Sequence, residues 1–391
     1  MGSTATQATN ARQNGTAVTE VPLSSADFHF AFHPNPDRIF DRAQRPFRLM
    51  RGKPSIKTYT NAIYAPAFRT AKQKLGCLYD ESGNRIEASI TRRNRSDMVY
   101  NTDPLRFEGN AKELPVYDRP VLYLGFLYSH FSHFMIETLG HWWGLTEELG
   151  GIDRYLIHIS DTSYLERSYV KAAMDALGIT RDQLVFFDQP TRLSRVVVPA
   201  NSVQIHSHIY TSYKDIFNKL SLALGAADVA PTERAVFLSR SKDKHGVRRY
   251  HGEEEIEAFL AERGVTIAHP GQLPFREQVK LINEHSRIIG FQGGQMLNIA
   301  FALQPKEVVY LTDNRVWGSS LLTDICFDHS STYVKVADTE NVLREMYRAV
   351  IRRTTGKRVK TGGFSRGHTV DLDRTTAWLA QMLASDRAPA R

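Results

Sequence analysis

The sequence has 391 residues, of which 42% are hydrophobic, 24% charged and 10% aromatic, enough for a buried core and incompatible with wholesale disorder. Its formal net charge of +8 directs it toward anionic partners such as nucleotide phosphates, acidic glycans, anionic lipid or nucleic acid. Cys77 and Cys326 are the only cysteines, too few for a disulfide framework or a thiolate zinc site and suited to a reducing compartment.

No apolar run reaches the roughly 18–20 residues of a membrane span, and residues 1–25 lack the apolar centre of a secretory signal. The expected location is cytoplasmic. Met1–Thr6 formally fits a myristoylation pattern. At this length two domains are expected rather than one.

Residues 1–25, rich in Thr, Ala, Asn, Gln and Ser, read as a flexible lead-in. Residues 26–118 give mixed signals of short strands and loops. Order improves at Val121–Leu124, a strand followed by a long aromatic helix from Tyr128 through Trp143. Next come strand Tyr155–Ile159, helix Tyr164–Leu177, strands Leu184–Phe187 and Arg195–Pro199, and helix Tyr213–Leu224. Alternation of this kind predicts a parallel sheet with helices on both faces.

After Pro231 the alternation restarts: strand Ala235–Ser239, helix Glu253–Arg263, strand Val265–Ala268, helix Pro274–Glu284, strand Arg287–Phe291, helix Gly294–Ala302 and strand Glu307–Leu311. Residues 340–351 and 372–384 read as helices around the basic stretch 352–368. The expected division is a flexible segment at 1–25, an N-terminal α/β domain at 26–230, a C-terminal Rossmann-like domain at 231–340, and C-terminal helices with a basic linker at 341–391. Two Rossmann-like domains would then face a central cleft.

Ligands of open parallel sheets bind outside the carboxyl ends of strands, and two such ends carry unusual residues. Arg240, Lys242, Lys244, Arg248 and Arg249 place five cations after strand 235–239. Arginine's planar fork matches the oxygens of a diphosphate, although a solvated basic loop has the same composition. At the end of strand 287–291, Gln292, Gly293 and Gly294 open a helix that contains Asn298. Small residues there let an anion approach backbone N–H groups at the positive end of the helix, while a tight turn alone also uses glycine. The spacing fits neither a dinucleotide fingerprint nor a P-loop.

On a helical wheel at about 100° per residue, His130, His133, Glu137 and His141 share one arc among apolar residues. Such a stripe suits a cleft wall, because burying ionisable groups is costly unless they are paired. His133 or Glu137 could serve as a general base. Their i, i+4 spacing also suits a divalent metal, or a core pair in which each satisfies the other.

These blocks resemble glycosyltransferase family 61. His133, Phe134 and Glu137 match its first pattern, with His130 where Asn is usual; Ser239, Arg240, Arg248, Arg249 and Glu253 match the second, with Gly252 in place of Asn. The third is matched by Gly290, Gly293, Gly294, Met296 and Asn298, and Gln292 replaces the usual His. The resemblance implies a GT-B-like fold and an inverting, metal-independent transfer from a nucleotide sugar, with a UDP-sugar as the expected co-substrate and no cofactor. On that reading residues 26–230 form the acceptor side and 231–340 bind the nucleotide sugar. Arg240, Lys244, Arg248, Arg249, Gln292, Gly293, Gly294 and Asn298 would bind the donor, and His133 or Glu137 would activate a glycan or lipid-linked acceptor in cell-surface, capsular-type polysaccharide synthesis.

A catalytically silent nucleotide- or glycan-binding homologue is the alternative, prompted by Gln292, Gly252 and His130. The basic stretch 352–368 lacks the interleaved aromatics of a nucleic-acid site. No nucleic-acid partner is expected, whereas peripheral contact with an anionic membrane suits the same charges.

Overall fold

The computed structural model describes residues 9–13, 16–41, 47–69, 74–92, 105–243, 248–313, 315–337 and 366–385. The chain is mixed α/β with parallel sheets. Val121–Phe126 is buried at all six positions, as a near-continuous apolar run predicts for a strand covered on both faces. It pairs in parallel with Tyr155–His158 on one side and Thr191–Pro199 on the other, and Leu184–Val185 extends the parallel run.

Beyond Thr191–Pro199 the sheet turns antiparallel. Ile56–Arg69, fourteen residues long, pairs with that strand and then with Lys74–Tyr79. The expected all-parallel sheet is therefore only half right in this region. Apolar residues interleaved with Lys and Thr hid this strand among turn signals.

The second sheet is parallel throughout, in the order Thr266–Ala268, Thr232–Leu238, His285–Phe291, Glu307–Thr312, Ser330–Lys335 and His29–Ala31. Numbered by chain position from Thr232–Leu238, its first five strands run 2-1-3-4-5. The order reverses between Thr232–Leu238 and His285–Phe291, and the crevice at such a reversal is where ligands of open α/β sheets bind. Arg240 follows the first of these strands and Gly293 the second.

Two expectations for the amino-terminal region change. Thr9–Gln13 and Thr16–Pro22 form an antiparallel hairpin instead of a structureless lead-in, in a sheet that continues through Arg48–Arg51, His208–Tyr210 and Val203–Gln204. His29–Ala31, expected with the first domain, closes the far edge of the second sheet.

The aromatic helix begins at Phe131, with His130 in extended backbone before it, and runs on to Thr146 through changing pitch. Phe134–Thr138 is a π turn, Leu139–Trp142 is α and Trp143–Thr146 is 3₁₀. Carbonyls displaced from regular helix bonding accept from elsewhere: Tyr213 Oη donates to Met135 O at 2.9 Å and Asn201 Nδ2 to Glu137 O at 3.1 Å. Helix Tyr213–Ala223 also packs across the 230/231 division, with Phe217 5.0 Å from Phe301 and Tyr213 6.1 Å from Phe327 between ring centroids. One apolar cluster runs from Leu122 and Phe134 through Phe217 to Leu238 and Phe301.

The predicted helix at 294–302 is a 3₁₀ segment, Gly294–Phe301. Residues 340–351 lie outside the described residues; 372–384 is helix Leu372–Ser385. Arg366–Thr369, at the end of the basic stretch, pairs in parallel with Arg248–His251. Among the described residues no helix is long and apolar enough to cross a membrane.

Candidate functional site

Arg240 is fixed through its backbone. Its N–H donates to Glu253 Oε1 at 2.7 Å. Ser239 Oγ lies 3.2 Å from the same oxygen and also meets Glu257. Burial raises the Glu253 pKa against these hydrogen bonds. Glu253 opens helix Glu253–Ala261, where the positive end of the dipole favours a carboxylate.

Gly252 precedes that helix at φ +103°, in left-handed backbone. Glycine and asparagine are the residues that tolerate this region best. The departure from the family pattern at Gly252 therefore preserves the turn.

The Arg240 charge also acts on Glu253, lowering its pKa against burial. The Arg240 side chain is only 12% exposed, with Nε 3.7 Å from Asp243 Oδ2. A Cβ placed on Gly293 would lie 2.8 Å from Arg240 Nη1, so the guanidinium rests against the Cα of that glycine. Gly293 has extended backbone, φ −175°, and is small for reasons of space. A Cβ on Gly294 would lie 2.6 Å from Ser132 Oγ. The start of the aromatic helix therefore abuts the start of helix Gly294–Phe301, and Phe131 and Phe275 meet at 6.3 Å beside it.

One residue past Ser132, His133 Nδ1 lies 2.9 and 3.0 Å from the two Glu137 oxygens. His133 is 22% exposed and Glu137 2%. A buried carboxylate on Nδ1 fixes the ring's orientation and assigns proton exchange to Nε2. His130 lies 5.5 Å from the His133 ring, and burial together with that neighbour lowers its pKa.

Arg240, Gly293, Gly294, Ser132 and the His133–Glu137 pair thus follow one another along the line where the two halves meet. Residues 131–310 match the family model described as Glycosyltransferase 61. Over that stretch the chain is similar to glycosyltransferase 61, and transferase chemistry is the class the match supports. The stretch includes Ser132, His133, Glu137, Arg240, Gly293 and Gly294.

No curated protein matches the chain. Among solved structures it is similar to a dodecameric iron-containing heptosyltransferase, TibC, in complex with ADP-D-beta-D-heptose, at 14% identity over 66% of this chain and 77% of that one, with a TM-score of 0.26. A likeness that loose carries no argument.

Other predicted site residues within the matched stretch fall differently. Gln292 is 1% exposed. With its amide set to satisfy both neighbours, it donates to Arg315 O at 2.8 Å and accepts from Trp317 N–H at 2.9 Å. Its amide thus braces the 315–317 loop. Asn298 is also 1% exposed; its Nδ2 donates to Gln278 Oε1 at 3.1 Å, within the packing of helix Phe275–Glu284, and its Oδ1 meets no donor among the described residues. His141 leaves the predicted stripe, since it is fully buried with Nδ1 3.2 Å from Pro199 O. Arg248 and Arg249 lie on strand Arg248–His251, and Lys244 is outside the described residues.

Sequence reasoning missed three contributors. Ser132 sits inside the first matched block, so its position was a usable signal. Asn201 and Tyr213 hold the π turn from 64 and 78 residues away, and no local pattern announces them.

Proposed function

We propose that this chain transfers a glycosyl group from a nucleotide diphosphate sugar, a UDP-sugar by family resemblance, to a hydroxyl of a glycan or lipid-linked acceptor. The frame we infer is GT-B-like, with two Rossmann-like units facing a cleft at the 131–133 and 293–294 contact. The contact between Arg240 and Gly293 carries the reading, because it sets a guanidinium beside a helix start at the reversal point of a parallel sheet.

In the reaction, His133 Nε2 takes the acceptor hydroxyl proton while Glu137 stabilises the resulting imidazolium. The hydroxyl oxygen forms a bond to the anomeric carbon on the face opposite the diphosphate. The bond from that carbon to the phosphate oxygen breaks with its electron pair, so configuration inverts. Arg240 and the N–H groups at Gly293 and Gly294 bind the charge that accumulates on the diphosphate. No metal is required in this scheme. Arg248, Arg249 and Lys244 remain proposed as further cations, and the cytoplasm as the site of action.

Calorimetry with UDP tests the reading. Arg240→Ala removes a charge-assisted contact of roughly 1.5–3 kcal/mol and should weaken UDP at least tenfold; unchanged affinity ends the assignment. A silent nucleotide- or glycan-binding homologue is the second reading, favoured by Gln292, whose amide is spent on backbone where the family has a histidine. Slow release of UDP from a nucleotide sugar without acceptor supports the enzyme, and its absence across a donor panel supports the silent protein.

A further inference from the structure

The first sheet carries a second hollow. A cavity of about 220 Å³ opens where strand Thr191–Pro199 ends, between that sheet and the strands Val203–Gln204 and His208–Tyr210. Ser55, Asn201, Gln204 and His208 line it together with the Glu87–Arg92 ion pair, and Ile90 and Val203 supply an apolar wall. The volume falls below the roughly 300–1,000 Å³ of drug-sized sites, which fits one sugar ring and not a nucleotide.

Its charge differs from that of the Arg240 region. Glu87 and Arg92 are the charged pair within the lining, with Arg85 outside it also holding Glu87, and burial holds the His208 pKa down at about 4, so the imidazole is neutral near pH 7. A wall of paired donors and acceptors facing an apolar wall suits a ligand with hydroxyls on its rim and C–H groups on its faces. The lining itself holds one carboxylate and one guanidinium, in contrast to the cations gathered after Leu238.

Position ties the cavity to the candidate base. Val121–Phe126 and Thr191–Pro199 are neighbouring parallel strands, so their carboxyl ends open on the same edge of the sheet; one leads into the His133 helix and the other into Asn201. The Asn201 side chain lines the cavity and also donates to Glu137 O at 3.1 Å. A ligand in the cavity therefore touches the residue that braces the turn carrying Glu137.

We propose that this cavity binds an uncharged pyranose unit of the acceptor, one subsite from the hydroxyl that reacts. The inference rests on the glycosyl-transfer reading for the word acceptor, and on the cavity's own chemistry for the pyranose. Saturation-transfer NMR tests it with methyl glycosides of neutral hexoses and N-acetylhexosamines, with methyl glucuronide as the charged comparison and UDP binding measured in parallel.

At least one neutral glycoside should receive saturation. Gln204→Ala, which removes a donor and acceptor, and Ser55→Phe, which fills the space, should each weaken it at least fivefold while UDP affinity stays within twofold. Absence of transfer to every neutral glycoside, transfer that survives both substitutions, or preference for the glucuronide overturns the proposal and leaves the donor site standing. Glycoside binding that responds to both substitutions in a protein that fails to bind UDP keeps the pyranose site and removes the transferase reading.

Discussion

Gly293 and Gly294 look interchangeable in the sequence, yet each makes room for a different neighbour. A methyl on Gly293 meets two flexible side-chain tips, Gln295 Oε1 and the Arg240 guanidinium, and one on Gly294 meets Ser132 Oγ. Arg240 is long and can swing aside, so Gly293→Ala should cost little stability, a melting shift below about 3 °C, while weakening UDP several-fold by displacing the guanidinium. Gly294→Ala presses on a short side chain at the start of a helix. It should lower the melting temperature more and slow turnover at saturating donor. Thermal shift and calorimetry on the two variants separate these effects, and identical profiles would show that the two contacts are not distinct. At this scale the sequence set Arg240 and the glycines at two strand ends, and the structure brings Arg240 and Gly293 into contact. The sequence did not reveal the fates of Gln292 and Asn298. Both are polar residues inside a matched block, and which way they point depends on a 3₁₀ helix and a loop at 315–317 that no periodicity encodes.

The aromatic helix illustrates the same limit for a whole element. A uniform 100° step puts His141 on the face of His133 and Glu137, but the wider π turn at Phe134–Thr138 rotates everything after it. The turn is held by acceptor carbonyls that find Tyr213 and Asn201, partners supplied by distant chain. Tyr213→Phe should therefore cost about 1 kcal/mol in urea denaturation, the net worth of one buried hydrogen bond. It should also reduce kcat more than UDP affinity, because the loosened carbonyl lies two residues before Glu137. Equal losses in both would place the effect outside this turn. Elements bounded by clear caps and alternation were largely legible from Thr232 to Thr312, apart from strand Arg248–His251 and the 3₁₀ character of Gly294–Phe301. Ile56–Arg69 was not, since its pairing is antiparallel and remote.

Across the molecule, buried imidazoles set the response to acid. Burial lowers the pKa of His33, His141, His208 and His329 to about 4 and that of His158 to about 3. Unfolded histidines take up protons near pH 6.5, where these folded ones do not. Their stabilising contribution is full above about pH 6.5 and is lost as the pH falls toward 4. Asp324 opposes them. It accepts from Tyr310 at 2.8 Å and Tyr333 at 2.5 Å, and burial pushes its pKa up to about 7. Its contribution is present below the ordinary aspartate value and fades as the pH rises to about 7. Glu253 and Asp215, also raised by burial, act in the same sense as Asp324, and His130 in the same sense as the other imidazoles; the larger histidine shifts predict a melting temperature that drops between pH 7 and pH 5, and drops more steeply in Asp324→Asn. A flat profile would contradict the neutral state of these rings.

The strand His29–Ala31 has a practical consequence for anyone dissecting this chain. Its residues pair with Thr332, Tyr333 and Val334, and the Phe30 ring lies 5.6 Å from that of Tyr333. A fragment starting at residue 231 would keep the Gly293 turn but leave Ser330–Lys335, still paired to Glu307–Thr312 on one side, as an open sheet edge beside an uncovered aromatic ring. Such edges recruit other chains, so the isolated carboxyl-terminal portion should precipitate or self-associate on light scattering, and supplying residues 26–41 as a peptide or a fused extension should restore a monodisperse species.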